Sequence, residues 1–224
     1  DLQVDQVMHI PTGIRVTVDQ MMDTISSARV IYVGETHDNL ESHRIQFEII
    51  RRMQDLYPGK VAVGMEMFRR SAQPDLDLWH KGTLSDAQFK KVFHTNWGMG
   101  YRLYQPIFDY LKEKHLPLLG LKSSRETEDL LRRESPDSHL LPEMNMNDLY
   151  HKMEAMSIFG AHKDGDMSNP YQMLVLWEEA MAQTVAEFLK NPSYRDWKLV
   201  VLTGGYHVQY GFGVPKRAFR RTPH

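Results

Sequence analysis

The stretch "VIYVGETHDN", Val30 to Asn39, decides how the chain is read. Its apolar part is continuous rather than alternating, as in a strand covered on both faces, and we place that strand at Arg29 to Val33. Gly34 ends it, and Glu35, Thr36, His37, Asp38 and Asn39 follow as a polar turn. Beyond the turn, His43, Phe47 and Ile50, with Ile49 and Met53 on the flank, mark the buried stripe of a helix from about Glu41 to Leu56. Near the other end, "VVLTGGYHVQYG", Val200 to Gly211, has the same form: an apolar run, a glycine, and a histidine three residues on. Gly34 leads to His37, and Gly204 to His207.

Two further continuous runs lie between, "KVAVGMEMF" at 60 to 68 and "LPLLGL" at 116 to 121, and the last run spans 198 to 205. "YQPIFDYLKEKH" reads as a helix before the third run and "YQMLVLWEEAMAQTVAEFLKN" as a long one before the fourth. Alternation of this kind predicts an α/β fold with an open, mainly parallel sheet and flanking helices. "QVMHI" and "IRVTV" around Pro11, Thr12 and Gly13 predict an N-terminal β-hairpin with a three-residue connection, and Asp19 is expected to cap the next helix. The 224 residues suffice for a single α/β domain. Segments 69 to 105 and 126 to 170 exceed simple crossovers and read as helical inserts forming a smaller lobe.

Net charge is −2, with basic residues dispersed apart from Lys216, Arg217, Arg220 and Arg221, so no nucleic-acid partner is expected. The absence of cysteine excludes disulfides, thiolate metal sites and a cysteine nucleophile. There is no run of about 18 apolar residues, and the opening "DLQVDQVMHI" has no signal-type h-region. Seven of the fourteen methionines fall between Met144 and Met181. "HKDGDMSN" lacks the later ligands of a calcium loop and reads as a surface turn.

In an open parallel sheet, ligands bind beyond the carboxyl ends of the strands. The first strand is followed there by Glu35 and His37, the second carries Glu66, the third leads to Lys122 and Arg125, and the fourth to Tyr206 and His207. Glu66 within an apolar run requires a partner, either Arg125 or a metal ion. His43, on the helix stripe, reads as a core histidine able to support the site. Mixed imidazole and carboxylate groups suit a divalent metal, and a histidine beside a glutamate suits general-base work.

"VIYVGETHDNLESHRIQ", "VGMEMF", "LPLLGL" with "SRE", the "MA" of "WEEAMAQTV", and "GGYHVQYGFGVPKR" together resemble the ChaN-type haem-binding lipoprotein family, grouped with erythromycin esterases and Tiki proteases. The resemblance runs from about Ile14 to Arg217. It implies a protein of the bacterial cell envelope, lipid-anchored or periplasmic, that serves haem iron uptake with a haem receptor or transport system. It implies haem at a homodimer contact, ligated by a tyrosine and supported by a histidine of the other subunit. The candidate positions are Tyr150, with His151 beside it, Tyr171, Tyr104 and Tyr206. A tyrosinate suits ferric haem, and Met-rich surface suits a porphyrin. By the same resemblance, Glu35, His37, Glu66 and His207 match metal positions of Tiki-like relatives, and His37 with Glu35 the base of the esterases, which makes a hydrolase the alternative. The chain departs from the family pattern at Lys122, where asparagine is common, and at Tyr206, where a small residue is.

Overall fold

Two β-strands, Val7–His9 (β1) and Ile14–Val16 (β2), pair antiparallel and open the described chain. The structure is a computed structural model describing residues 6–159 and 168–224. His9 pairs with Ile14, so the hairpin turn holds four residues rather than the expected three. Helix α1, Val18–Ile25, is capped by Thr17 and not by Asp19: the Thr17 hydroxyl accepts from the Gln20 amide while the Gln20 side chain accepts from the Thr17 amide.

Strand β3, Val30–Glu35, leads through the polar turn into α2, Leu40–Leu56, whose first turn is capped by Asn39. β4 spans Val61–Arg69; α3, Gln73–His80, α4, Asp86–Asn96, and α5, Tyr101–Glu113, follow before β5, Leu118–Lys122. Then come α6, Arg125–Leu131, α7, Leu149–Phe159, and α8, Ser168–Lys190, with β6, Lys198–Gly204, and α9, Val214–Arg221, closing the chain. Residues 162–167 of the "HKDGDMSN" stretch lie outside the described residues.

The four long strands are all parallel, in the order β3-β6-β4-β5. The last strand therefore inserts beside the first, with Glu35 opposite Gly204. Alternation along each strand sorts its side chains to two faces. Ile31, Val33, Val63, Met65, Val200 and Leu202 join one core, built with Ile50 and Met53 of α2 and Phe108 of α5. Val30, Ala62, Leu199 and Val201 join a second, built with Met181 and Val185 of α8 and Val214 and Ala218 of α9. Coverage on both faces is why these strands read as unbroken apolar runs.

The segments expected to be helical inserts pack in different places. Leu76 and Trp79 of α3 and Phe89 and Phe93 of α4 belong to the first core, whereas Ala155 of α7 packs on Tyr171 and Val175 of α8. The α4 contribution is aromatic: fully buried Phe93 meets the rings of Phe68, Tyr101, Tyr104 and Phe108 at centroid distances of 5.4–5.8 Å. Phe93→Ala leaves a void among the side chains of β4, α4 and α5, and urea unfolding should show a loss of about 3–5 kcal/mol with an unchanged m-value.

Candidate functional site

Glu35 ends β3 on the α2 and α5 face, and its carboxylate is fully engaged. Oε1 lies 2.6 Å from His37 Nδ1 and accepts from the Tyr104 hydroxyl at 2.5 Å, while Oε2 accepts from Gln46 Nε2 at 2.7 Å. His43, buried on α2, lies with Nδ1 3.4 Å from the same carboxylate and donates from Nε2 to the His37 carbonyl at 3.0 Å. It thus holds both ends of the Glu35–His37 pair. Because Asn39 caps the helix, Glu35 is not needed for that role.

His37 is the exposed member, with 45% of its side chain accessible, packed edge-on against Trp97 at 4.9 Å. The hydrogen bond to Glu35 raises its pKa above the ordinary histidine value, burial opposing and the Glu66 charge adding. The far edge of the ring lies over Gly204, where a Cβ would sit 3.2 Å from His37 Nε2 and 3.5 Å from Glu66 Oε2. Glycine at 204 therefore leaves the space in which His37, from one face of the sheet, approaches Glu66, from the other.

Glu66 lies on the α8 face, its Oε2 accepting from Thr203 Oγ1 at 2.7 Å and the Gly204 amide at 2.8 Å. It does not pair with Arg125, which is exposed and donates to the Thr95 carbonyl; the buried arginine pair at this edge is Arg69 with Glu128, at 2.7 Å. The partner of Glu66 is His207, whose Nε2 stands 3.5 Å from Oε1 and whose Nδ1 stands 3.2 Å from Glu178 Oε1. Burial would push the His207 pKa down, yet the two carboxylates push it up to about 10. In turn, burial opposes the ionisation of Glu66 and Glu178, but the His207 charge and the hydrogen bonds they accept hold both below the usual carboxylate range.

Glu178 Oε2 extends the network to His151 Nε2 at 2.8 Å and Arg217 Nε at 3.1 Å. Arg217 Nη2 also faces His151 Nδ1 at 3.2 Å; a guanidinium only donates, so Nδ1 accepts and Nε2 carries the proton given to Glu178. The Tyr171 hydroxyl lies 3.1 Å from the same Nδ1. Gly213 makes room for this cluster, since a Cβ there would sit 2.3 Å from the His207 carbonyl oxygen and 2.8 Å from Glu178 Oε1.

The expected metal set does not form a metal centre: among the described residues no group of three His, Asp or Glu side chains is arranged to hold an ion. The physical reason is competition. The oxygens of Glu35 are taken by Tyr104, Gln46 and His37, and both nitrogens of His207 face carboxylates.

The tyrosines also separate. Tyr104 and Tyr171 are buried, and burial, with Glu35 acting on Tyr104, raises the pKa of each. His151 is buried with both ring nitrogens engaged. Tyr150 and Tyr206 are exposed. Tyr150, 67% accessible, lies on α7 with exposed Leu149, Met153 and Met156, and its ring stacks on Phe212 at 6.1 Å. Leu149, Met153 and Met156 stand at helical i, i+4 and i+7, so α7 presents an apolar stripe outward while Ala155 packs inward. Such a stripe, with an accessible phenol beside it, fits a flat apolar macrocycle with one open iron position.

The residues that sequence reasoning missed are Gln46, Glu178, Arg217 and Gly213. Gln46 stands among the apolar positions of α2, and Glu178 interrupts "MLVLWEEAMA", the same anomaly that drew notice to Glu66. Gly213 carried no signal, because its requirement is a close contact between distant segments.

A family profile described as haem-binding uptake, Tiki superfamily, ChaN matches residues 21–218. No curated protein matches the chain in sequence. Among solved structures, the ChaN of Campylobacter jejuni, described with cofacial haem binding, superposes with a TM-score of 0.76 at 17% identity, over 96% of this chain and 85% of that one. The type III effector HopBA1 gives a TM-score of 0.47 at 15% identity, over 85% and 72% of the two chains.

The His207 linkage has a definite sign. Its folded pKa, about 10, exceeds the ordinary 6.5, so its stabilisation is complete below pH 6.5 and is lost as pH rises toward 10. Unfolding free energies measured from pH 6.5 to 10 should fall for the wild type. His207→Gln should flatten that slope and, by leaving Glu66 and Glu178 facing each other, cost about 3–5 kcal/mol at pH 7.

Proposed function

The chain belongs to the ChaN family of haem-binding uptake proteins within the Tiki superfamily, and from that membership we propose that it holds haem on the outer face of α7 with Tyr150 as the iron ligand. The observation that carries this reading is the exposed Leu149, Met153 and Met156 stripe beside an accessible phenol. A porphyrin covering it removes apolar surface from water on one side only. The other side of the ring remains wet until a second copy of the chain brings its own haem against it. That is the reason for reading a homodimer contact here, and the Campylobacter jejuni protein binds haem cofacially. Bound haem would supply a ferric centre for an oxygen ligand; the chain supplies the phenolate, the apolar seat and, at its rim, the Lys216 ammonium, which pairs with Asp148 at 2.5 Å and lies 6.0 Å from the Phe212 ring. Service in bacterial haem iron uptake, at the cell envelope and in exchange with a receptor or transport system, is the role we infer from the family.

Hemin titration of the purified protein should give a saturable Soret shift and a haem-dependent increase in molecular mass by light scattering. Tyr150→Phe should remove the tyrosinate spectrum, whereas Tyr206→Phe should leave it unchanged. Absence of saturation at micromolar hemin would refute haem binding on α7.

A second reading, a hydrolase, has its own support in the Glu35–His37 pair. A carboxylate 2.6 Å from Nδ1 orients the imidazole and leaves Nε2 directed over Gly204, the arrangement of a general base with its orienting group. If an ester or amide is turned over, with or without added divalent metal, His37→Ala should lower kcat by about 10²–10⁴ with hemin affinity unchanged. Wild-type protein inert toward a broad ester and peptide panel would count against this reading.

A further inference from the structure

Along the carboxyl edge of the sheet the charged side chains stand in the order His37, His207, Glu66 and Lys122, following β3, β6, β4 and β5. Every carboxylate there has a donor. Glu35 has His37, Gln46 and Tyr104; Glu66 has His207 and Thr203; Glu178 has His207 and Arg217; and Glu128 has Arg69, Ser123 and the Trp177 indole. Lys122 is the exception among the cations of this edge: its ammonium makes no hydrogen bond or ion pair to any described residue. It is instead held between two indoles, 4.5 Å from the Trp177 ring centroid and 5.2 Å from that of Trp97.

We propose that this edge binds a small organic carboxylate, gripped by Lys122 between Trp97 and Trp177 and directed toward His37. The indoles shield the ammonium from water while accepting none of its protons, so an entering anion finds a partly desolvated cation whose donors are unspent. Burial accordingly pushes the Lys122 pKa down, with the Glu66 charge offsetting part of that fall. The walls are set before any ligand arrives. Trp177 is fixed by its 2.9 Å hydrogen bond to Glu128, and Trp97 is shared with His37, which meets its ring edge-on. Glu66 lies within electrostatic reach of both Lys122 and His37, which favours a monoanion over a phosphate dianion. Flat indole walls favour a planar or short apolar body behind the carboxylate. This site is separate from the α7 stripe and requires no turnover, so its outcome is read independently of haem binding and of hydrolysis.

The test uses phenylacetate as the acid and phenylacetamide as its uncharged counterpart, with the indole N–H signals of the haem-free protein followed by NMR and assigned by Trp97→Phe and Trp177→Phe. Phenylacetate should shift the Trp97 and Trp177 signals saturably and leave core Trp79 unmoved. The amide on wild-type protein, and the acid on Lys122→Met, should each bind about tenfold or more weakly. The amide arm requires no variant to fold, and an unmoved Trp79 signal certifies Lys122→Met. Equal binding of acid and amide, or no saturation by millimolar acid, would overturn the proposal. A Lys122→Met loss of hemin affinity without phenylacetate binding would likewise overturn it, assigning the ammonium to a haem propionate.

Discussion

A positive charge buried at the meeting point of five elements organises this protein. His207 donates toward Glu66 on one side and Glu178 on the other, and Glu178 is held by Arg217 and His151. Isolated, any of these charges would cost several kcal/mol to bury; together they satisfy one another and tie β4, β6, α7, α8 and α9. Apolar packing alone would tolerate small slips among these elements. Hydrogen-bonded charges tolerate fewer, because a shift of an ångström leaves a buried donor unmet.

The same edge separates two carboxylates with different duties. Glu35 lies on the α2 and α5 face and spends its oxygens on orienting His37, whereas Glu66 lies on the α8 face and compensates His207. One lattice of parallel strands produces both, because parity along β3 and β4 sends the two side chains to opposite faces. His37 rises over Gly204 and brings the two systems within reach. It is the only one of the paired histidines left accessible and with a free nitrogen, which makes it the member able to do acid–base chemistry. His207 is a fixed cation with a structural task.

Glu178 also links this edge to the exposed helix. His151, which it holds, immediately follows Tyr150, so the backbone that presents the phenol is anchored from beneath by a buried hydrogen bond. The outward stripe of α7 can then remain apolar without the helix needing to turn that face inward, since Ala155 and His151 already secure the other side. Apolar surface is retained in water here because the element bearing it is held elsewhere.

The unbroken apolar runs, the polar turn after Gly34 and the alternation with amphipathic helices were enough to read a parallel α/β sheet, since burial on both faces leaves a direct trace in composition. The motif order from "GETH" to "GVPKR" was enough to read the family. Local caps were less legible, as the choice of Thr17 over Asp19 shows, because both residue types can accept from a helix N-terminus and only the path of the backbone selects one. That Glu35, His37, Glu66 and His207 stand at one carboxyl edge of the sheet was inferred from the fold class, whereas the strand order was not. The partners of each residue were not, because Gln46, Tyr104, Glu178 and Arg217 reach the site from segments 11 to 69 positions away from the side chains they bind. By itself, then, the sequence determined which residues end the strands and which runs are buried on both faces, since each follows from neighbours along the chain. Only the tertiary structure decided that Tyr150 is accessible while Tyr104 and Tyr171 are buried, that His207 is charged and His37 open, and that Lys122 stands between two indoles, because each of those states is set by groups brought together across the sheet.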